Sequence, residues 1–161
     1  MSVRIHEASP ADAVEAAFFR IQQNQMADVP ILNPALSVEA VDFQLWQGHW
    51  LGVVITPWCM NLLLLSGSSA EWISIGNNQR RFVAFPMGNF AFLGGDEPEL
   101  GEYQSCSLFS PMNKFSTQSD AVMTARASLL GLLTPPKTPD APPPVEKPAL
   151  SRRGFLTLGS R

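Results

Sequence analysis

Val41-Asp42-Phe43-Gln44-Leu45-Trp46-Gln47-Gly48-His49-Trp50-Leu51-Gly52-Val53-Val54-Ile55-Thr56-Pro57 is the stretch on which the fold turns. Val41, Phe43 and Leu45 alternate with Asp42 and Gln44, the period of a strand with one face inward. Gln47-Gly48 offers a turn, residues 49–56 return as a mostly apolar strand, and Pro57 ends it. Residues 62–65 are four leucines, a buried strand by composition, closed by Gly67-Ser68-Ser69. Residues 81–85 and 89–92 form a hairpin around Pro86-Met87-Gly88, with Phe82, Phe90 and Phe92 as core candidates. Gly94-Gly95-Asp96 reads as another turn, and 103–109 as a last strand stopped by Ser110-Pro111.

Helices flank these strands. Ser9 is a good N-cap, Pro10 suits the first helical position and Asp12 completes a capping-box variant. Val14, Ala17, Phe18 and Ile21 then follow an i, i+3, i+4, i+7 stripe, which Pro30 and Pro34 stop near Asp28. Ser116 or Thr117 caps a second helix whose Val122, Ala125, Leu129 and Leu132 share one face, ending at Pro135. The order predicts an α+β fold: a largely antiparallel sheet of five or six strands, packed with an N-terminal and a C-terminal helix. The connections are too short for βαβ crossovers.

A chain of 161 residues suits one domain, and 45% hydrophobic residues can build a core. Charged residues make up 16%, well below the usual quarter, which suggests a surface that meets another protein. The net charge of −3 argues against nucleic acid as a partner. No apolar run reaches the ~20 residues of a membrane span, and the N-terminus lacks an apolar signal core, so the expected location is the cytoplasm. From Thr134 onward five basic residues face two acidic ones, +3 for the tail against −6 for residues 1–133. Seven of the 14 prolines lie there as well. Three units follow: an α+β body over 1–133, a Pro-rich disordered linker over 134–150 and a terminal segment over 151–161.

No catalytic motif stands out: no G-x-S-x-G, no phosphate-binding glycine loop, no H-E-x-x-H and no C-x-x-C. Cys106 with His49 would make a thiolate–imidazole pair, but a strand cysteine more often behaves as a small buried hydrophobe. A soft-metal or iron-fragment site needs Cys59, Cys106 or His49 to converge, which their spacing does not require. Cys106 is therefore only a weak metal candidate, and no cofactor is expected. Asp96, Glu97, Glu99 and Glu102 form an acidic loop, read either as a solvated turn or as a patch for a basic segment. Trp46, Trp50, Trp58 and Trp72 are core residues by default, and four of them in so weakly charged a chain favour one or two facing a partner. Ser151-Arg152-Arg153-Gly154-Phe155-Leu156 matches the twin-arginine export consensus S-R-R-x-F-L at the wrong end of the chain. It reads as a chance match in a basic terminus, or as a tethered mimic of a client's signal peptide at high effective concentration.

These residues resemble the HybE/HupJ-type assembly chaperones of [NiFe]-hydrogenases. The marks are Asn33-Pro34-Ala35-Leu36, Val41-Asp42-Phe43, Gly48-His49-Trp50-Leu51-Gly52, Ile55-Thr56-Pro57-Trp58-Cys59-Met60-Asn61-Leu62, the run from Tyr103 to Met112, and the arginine pair of the tail. The resemblance implies an accessory protein without enzymatic activity that holds a large or small subunit precursor, so that metal insertion precedes export. It further implies a twin-arginine signal on the small subunit and, for some relatives, a rubredoxin-like partner, here a separate protein. The residues expected to meet the partner are Trp58, Asn61, Tyr103, Ser110, Pro111 and Met112 on the body, and Arg152, Arg153, Phe155 and Leu156 on the tail. The alternative function is an iron-fragment or redox carrier protecting assembly of the metal centre.

Overall fold

A computed structural model describes residues 3–25, 32–68 and 71–136. Helix α1 (Ala11–Asn24) is followed by six strands, β1 (Glu39–Trp46), β2 (His49–Ile55), β3 (Met60–Leu65), β4 (Arg80–Phe85), β5 (Gly88–Glu97) and β6 (Gly101–Phe109), and by helix α2 (Gln118–Leu132). The strands form one open sheet in the order β1-β2-β3-β6-β5-β4, every neighbouring pair antiparallel. Two three-stranded meanders are thus joined where β3 meets β6. The expected α+β class and antiparallel sheet are observed. The terminal segment 151–161 and most of the Pro-rich linker lie outside the described residues.

The sheet carries a core on each face. On one face Leu51, Val53, Ile55, Leu62, Leu64 and Phe92 pack beneath Ala121, Ala125, Leu129 and Leu132 of α2. On the other, Val54, Leu63 and Leu65 pack beneath Val14, Ala17 and Phe18 of α1. β2 and β3 are therefore buried on both sides, which is why they read as continuous apolar runs. Each fully buried leucine contributes roughly 1.5–3 kcal/mol of burial. The first face also curls, because Trp46 near one sheet edge stacks on Phe85 at the other, with ring centroids 4.5 Å apart.

Five local expectations are corrected. Pro10 rather than Ser9 is the N-cap of α1, and Ser9 Oγ instead accepts from Ala11 N at 3.4 Å. α1 ends at Asn24 rather than near Asp28. β1 does not alternate throughout: a bulge falls between Val41 and Gln44, and Asp42 sits at φ +53°. Val41 consequently joins the α2-side core, Phe43 packs on the α1 side, and Leu45 is exposed. Phe82 is no core residue but lies on edge strand β4, 70% exposed. The Gln47-Gly48 turn is as read, with both residues at positive φ as a type I′ hairpin needs. Thr117 caps α2, its hydroxyl accepting from Asp120 N at 3.0 Å.

Gly94-Gly95-Asp96 is not a turn. All three lie inside β5, and the chain reverses instead at 98–100. The glycines are there for space. A Cβ on Gly94 would stand 2.5 Å from the backbone oxygen of Gly76, and one on Gly95 would press 2.8 Å into the Tyr103 ring. Among the described residues no helix is long and apolar enough to cross a membrane.

Candidate partner-binding site

Asn33 ties together one end of the sheet. Its Nδ2 donates to the carbonyls of Met112 (2.9 Å) and Phe115 (2.8 Å), and its Oδ1 accepts from Ala35 N (2.9 Å). Its own backbone N–H donates to the carbonyl of Pro57 (2.9 Å). One side chain thereby fastens the segment before β1 to the segment between β6 and α2. Its backbone adds the β2–β3 turn. That turn is fixed internally by Thr56, whose Oγ1 accepts from Trp58 N and Cys59 N at 3.2 and 2.9 Å. Met112 is fully buried beneath the junction.

Between the first two segments lies a cleft of about 520 Å³, walled by Leu32, Pro34, Ala35, Pro111 and Phe115. Prolines and small side chains dominate it because two non-helical, non-strand segments must run side by side here. Both are short of backbone donors at the prolines. The arrangement offers apolar contact with a polar margin at Asn113 and Ser116.

The expected contact residues do not form one patch. Ser110 and Pro111 are exposed at the cleft end of the sheet. Trp58 shares that end and packs toward the α1-side core. Met112 shapes the cleft from beneath, having no exposed surface of its own. Asn61, opposite Ser107, is partly buried and its Oδ1 has no partner among the described residues. Tyr103 pairs with Leu65, six residues along β6 from Phe109, about 20 Å away. There it packs edge-on to Phe18, and burial together with Glu97 pushes its hydroxyl up to about 12. Arg152, Arg153, Phe155 and Leu156 lie outside the described residues. Asn33, Pro34, Ala35 and Phe115 join the site without having been expected as contacts. The signal in the sequence is an Asn-Pro pair outside any periodic segment, since asparagine there commonly bonds backbone.

The thiols do not converge with His49. Cys106 lies opposite Leu62, which lies opposite Val53, four residues or about 13 Å along β2 from His49. Burial pushes both cysteine thiols up, against the thiolate form that a nucleophile or metal ligand needs. Among the described residues no group of three or more His, Cys, Asp or Glu side chains could hold a metal.

The acidic loop is not a free patch either. Glu97 and Glu99 clamp Arg20 of α1 at 2.6 and 2.8 Å, and Arg4 donates to the carbonyl of Glu99 at 2.8 Å. Glu102 is fully buried, accepting from Ser74 Oγ and Ile75 N at 2.7 and 2.8 Å. The hydrogen bond from Arg20 holds the Glu99 carboxyl below its ordinary range. A carboxyl depressed in the folded state stabilises above the unfolded value and loses that contribution as pH falls through the folded one. Thermal midpoints of the protein and of Glu99→Gln should therefore differ most above about pH 5 and converge toward about pH 3.

Residues 9–158 match the family model described as [NiFe]-hydrogenase assembly, chaperone, HybE. The chain belongs to the HybE family of [NiFe]-hydrogenase assembly chaperones. Protein HoxT of Cupriavidus necator is 41% identical over 157 residues, covering 89% of this chain and 85% of that protein. A Rhodobacter capsulatus protein named "Probable rubredoxin HupJ" is 38% identical over 120 residues, covering 74% of this chain and 43% of its own length. The solution structure of HybE from Escherichia coli superposes with a TM-score of 0.69 at 28% identity, covering 99% of this chain and 94% of that one. The HybE match includes the Asn33 segment, the β2–β3 turn and the run through Met112, the three pieces that Asn33 joins. It also extends over residues 151–156 of the tail.

Proposed function

We propose that this HybE-family chain holds a large or small subunit precursor of a [NiFe]-hydrogenase, so that metal insertion precedes export. The observation that carries this is the apolar cleft at the Asn33 junction, built from segments that mark the family and walled by Pro34, Ala35 and Pro111. Ser110 and Trp58 extend that contact around the sheet end, and Met112 supports it from below. The twin-arginine-like residues Arg152, Arg153, Phe155 and Leu156 supply a second, tethered contact with the machinery or signal that handles export. The action takes place in the cytoplasm, before translocation.

The test is capture by the tagged protein from cells expressing the complete cognate hydrogenase system, with subunits identified by mass spectrometry. The protein should retain an unprocessed subunit. Ala35→Arg, which fills the cleft with a charged chain at an exposed position, should lower that retention about tenfold or more, equivalent to ~1.4 kcal/mol. Equal capture by Ala35→Arg would move the contact elsewhere on the surface. Absence of any hydrogenase subunit would defeat the proposal.

A further inference from the structure

The two edges of the sheet are treated differently. Along β1 the edge is closed by side chains: Glu15 accepts from Ala40 N at 2.9 Å, Gln118 bonds both peptide groups of Ser37, and a bulge distorts the strand. Among the described residues β4 has none of these devices. Its hairpin closes with Phe85 opposite Gly88 across the two residues Pro86 and Met87, so Phe85, Val83 and Arg81 bond to β5. The peptide groups of Arg80, Phe82 and Ala84 therefore point away from the sheet. No other described group bonds them.

A cleft of about 260 Å³ opens along this edge, between Phe82 and Ala84 on one side and Trp46 and Gln47 of the β1–β2 turn on the other, with His49 also in its lining. His49 is 6% exposed. Its Nδ1 accepts from Gly67 N at 3.1 Å, which places the ring proton of the neutral imidazole on Nε2. That Nε2–H has no acceptor among the described residues, and neither has the indole N–H of Trp72, packed edge-on against His49 at 5.2 Å. Two buried donors without acceptors are costly and call for a partner group. Arg81 and Glu71 bring one charge of each sign to the same cleft, so its polarity toward a ligand is set by the two unpartnered donors.

The geometry points to a strand-addition site: an extended segment of a polypeptide partner pairs with the free edge of β4 and lays a carboxylate or carbonyl oxygen toward His49 and Trp72. This rests on the proposed chaperone role for the identity of the partner, a segment of the precursor, but not for the existence of the site. Main-chain pairing supplies affinity with little dependence on sequence, and the donor pair selects a side chain that accepts hydrogen bonds, such as aspartate, over one that only donates. The basic tail of this chain is a poor occupant, since Arg152 and Arg153 would meet Arg80 and Arg81.

The probe is the capped peptide acetyl-Thr-Val-Asp-Val-Thr-amide, titrated into the full-length ¹⁵N-labelled protein. The amides of Phe82 and Ala84 and the Trp72 indole should shift saturably, while those of Arg81 and Val83, already in the sheet, move less. Replacing the aspartate by lysine should weaken binding about tenfold. Ala84→Pro removes one outward N–H without touching the inner ladder, and His49→Phe removes the donor while keeping the ring. Each should weaken peptide binding by a similar factor, with the rest of the spectrum showing the fold intact. Absence of saturable shifts, or unchanged binding in both variants, overturns the site. So does concentration-dependent protection of the Phe82 and Ala84 amides in the free protein, which would give the edge to a second copy. In the subunit-capture experiment, retention by the wild type but equal retention by Ala84→Pro would sink the edge as the precursor's site and leave the chaperone role standing. No retention by either would defeat the chaperone role alone, the peptide titration then deciding the edge.

Discussion

Asn33→Asp should destabilise the protein by about 3 kcal/mol or more at neutral pH, read as a lower midpoint in urea at unchanged slope. The substitution replaces the amide nitrogen of Asn33, which donates to the carbonyls of Met112 and Phe115 at 2.9 and 2.8 Å, by an oxygen. Two donated bonds are lost, and a carboxylate is placed against two carbonyl oxygens. Asn33→Ala loses these two bonds and the one Oδ1 accepts from Ala35 N, but adds no charge, and should cost about 2 kcal/mol. The two variants should converge at low pH. There the protonated side chain of the Asn33→Asp variant regains one O–H donor. Its folded carboxyl is raised above the unfolded value, so its deficit grows as pH rises. Because the same junction walls the cleft, both variants should also lose precursor capture, whereas Ala35→Arg should lose capture at nearly unchanged stability.

Gly94→Ala should cost about 2–3 kcal/mol, and Gly94→Val more. The added carbon meets the backbone oxygen of Gly76, not a side chain that can rotate away. That backbone is pinned: Asn78 N donates to Gly94 O at 3.0 Å, Gly94 N to Gln79 O at 2.8 Å, and Gln79 N to Gly76 O at 2.9 Å. Relief requires the 76–79 loop to lift, which takes two of those bonds with it and loosens the entry to β4. Gly131 supplies the contrast. It lies in α2, and a Cβ added there meets nothing within 4 Å, so Gly131→Ala should gain up to about 1 kcal/mol from helix propensity. Thermal midpoints of the two alanine variants, measured side by side, separate lost space from lost chain flexibility.

The glycine pair shows where local reading stops. Two glycines followed by an aspartate are common turn chemistry, and only the neighbours Gly76 and Tyr103, distant in sequence, show that the residues are extended and small for packing. Phe82 shows the same limit. Its hydrophobicity marks it for a core, but whether β4 is central or at an edge depends on strand order, which no local pattern contains. Glu97, Glu99 and Glu102 read as an exposed cluster until α1 brings Arg20 to two of them and the segment before β4 brings the Ser74 hydroxyl and the Ile75 N–H to the third. By contrast the short segments that mark the family are legible when taken together, although nothing within them tells where they meet.

What the sequence by itself determined is the sort of protein this is: α+β, short antiparallel strands between two helices, and a member of the HybE family. Turn chemistry at Gln47-Gly48 is local, and local rules sufficed for it; they narrowed the cap of α2 to Ser116 or Thr117, and they failed at the bulge that breaks the alternation of β1. Only the tertiary structure decided what is brought together: Asn33 with Met112 and Phe115, Arg20 with Glu99, and the unpaired edge of β4 with the donors of His49 and Trp72. Each joins residues from elements far apart in the chain. Such contacts follow from strand order and from which face each helix covers, both of which are set by the summed burial of the whole chain rather than by any segment of it.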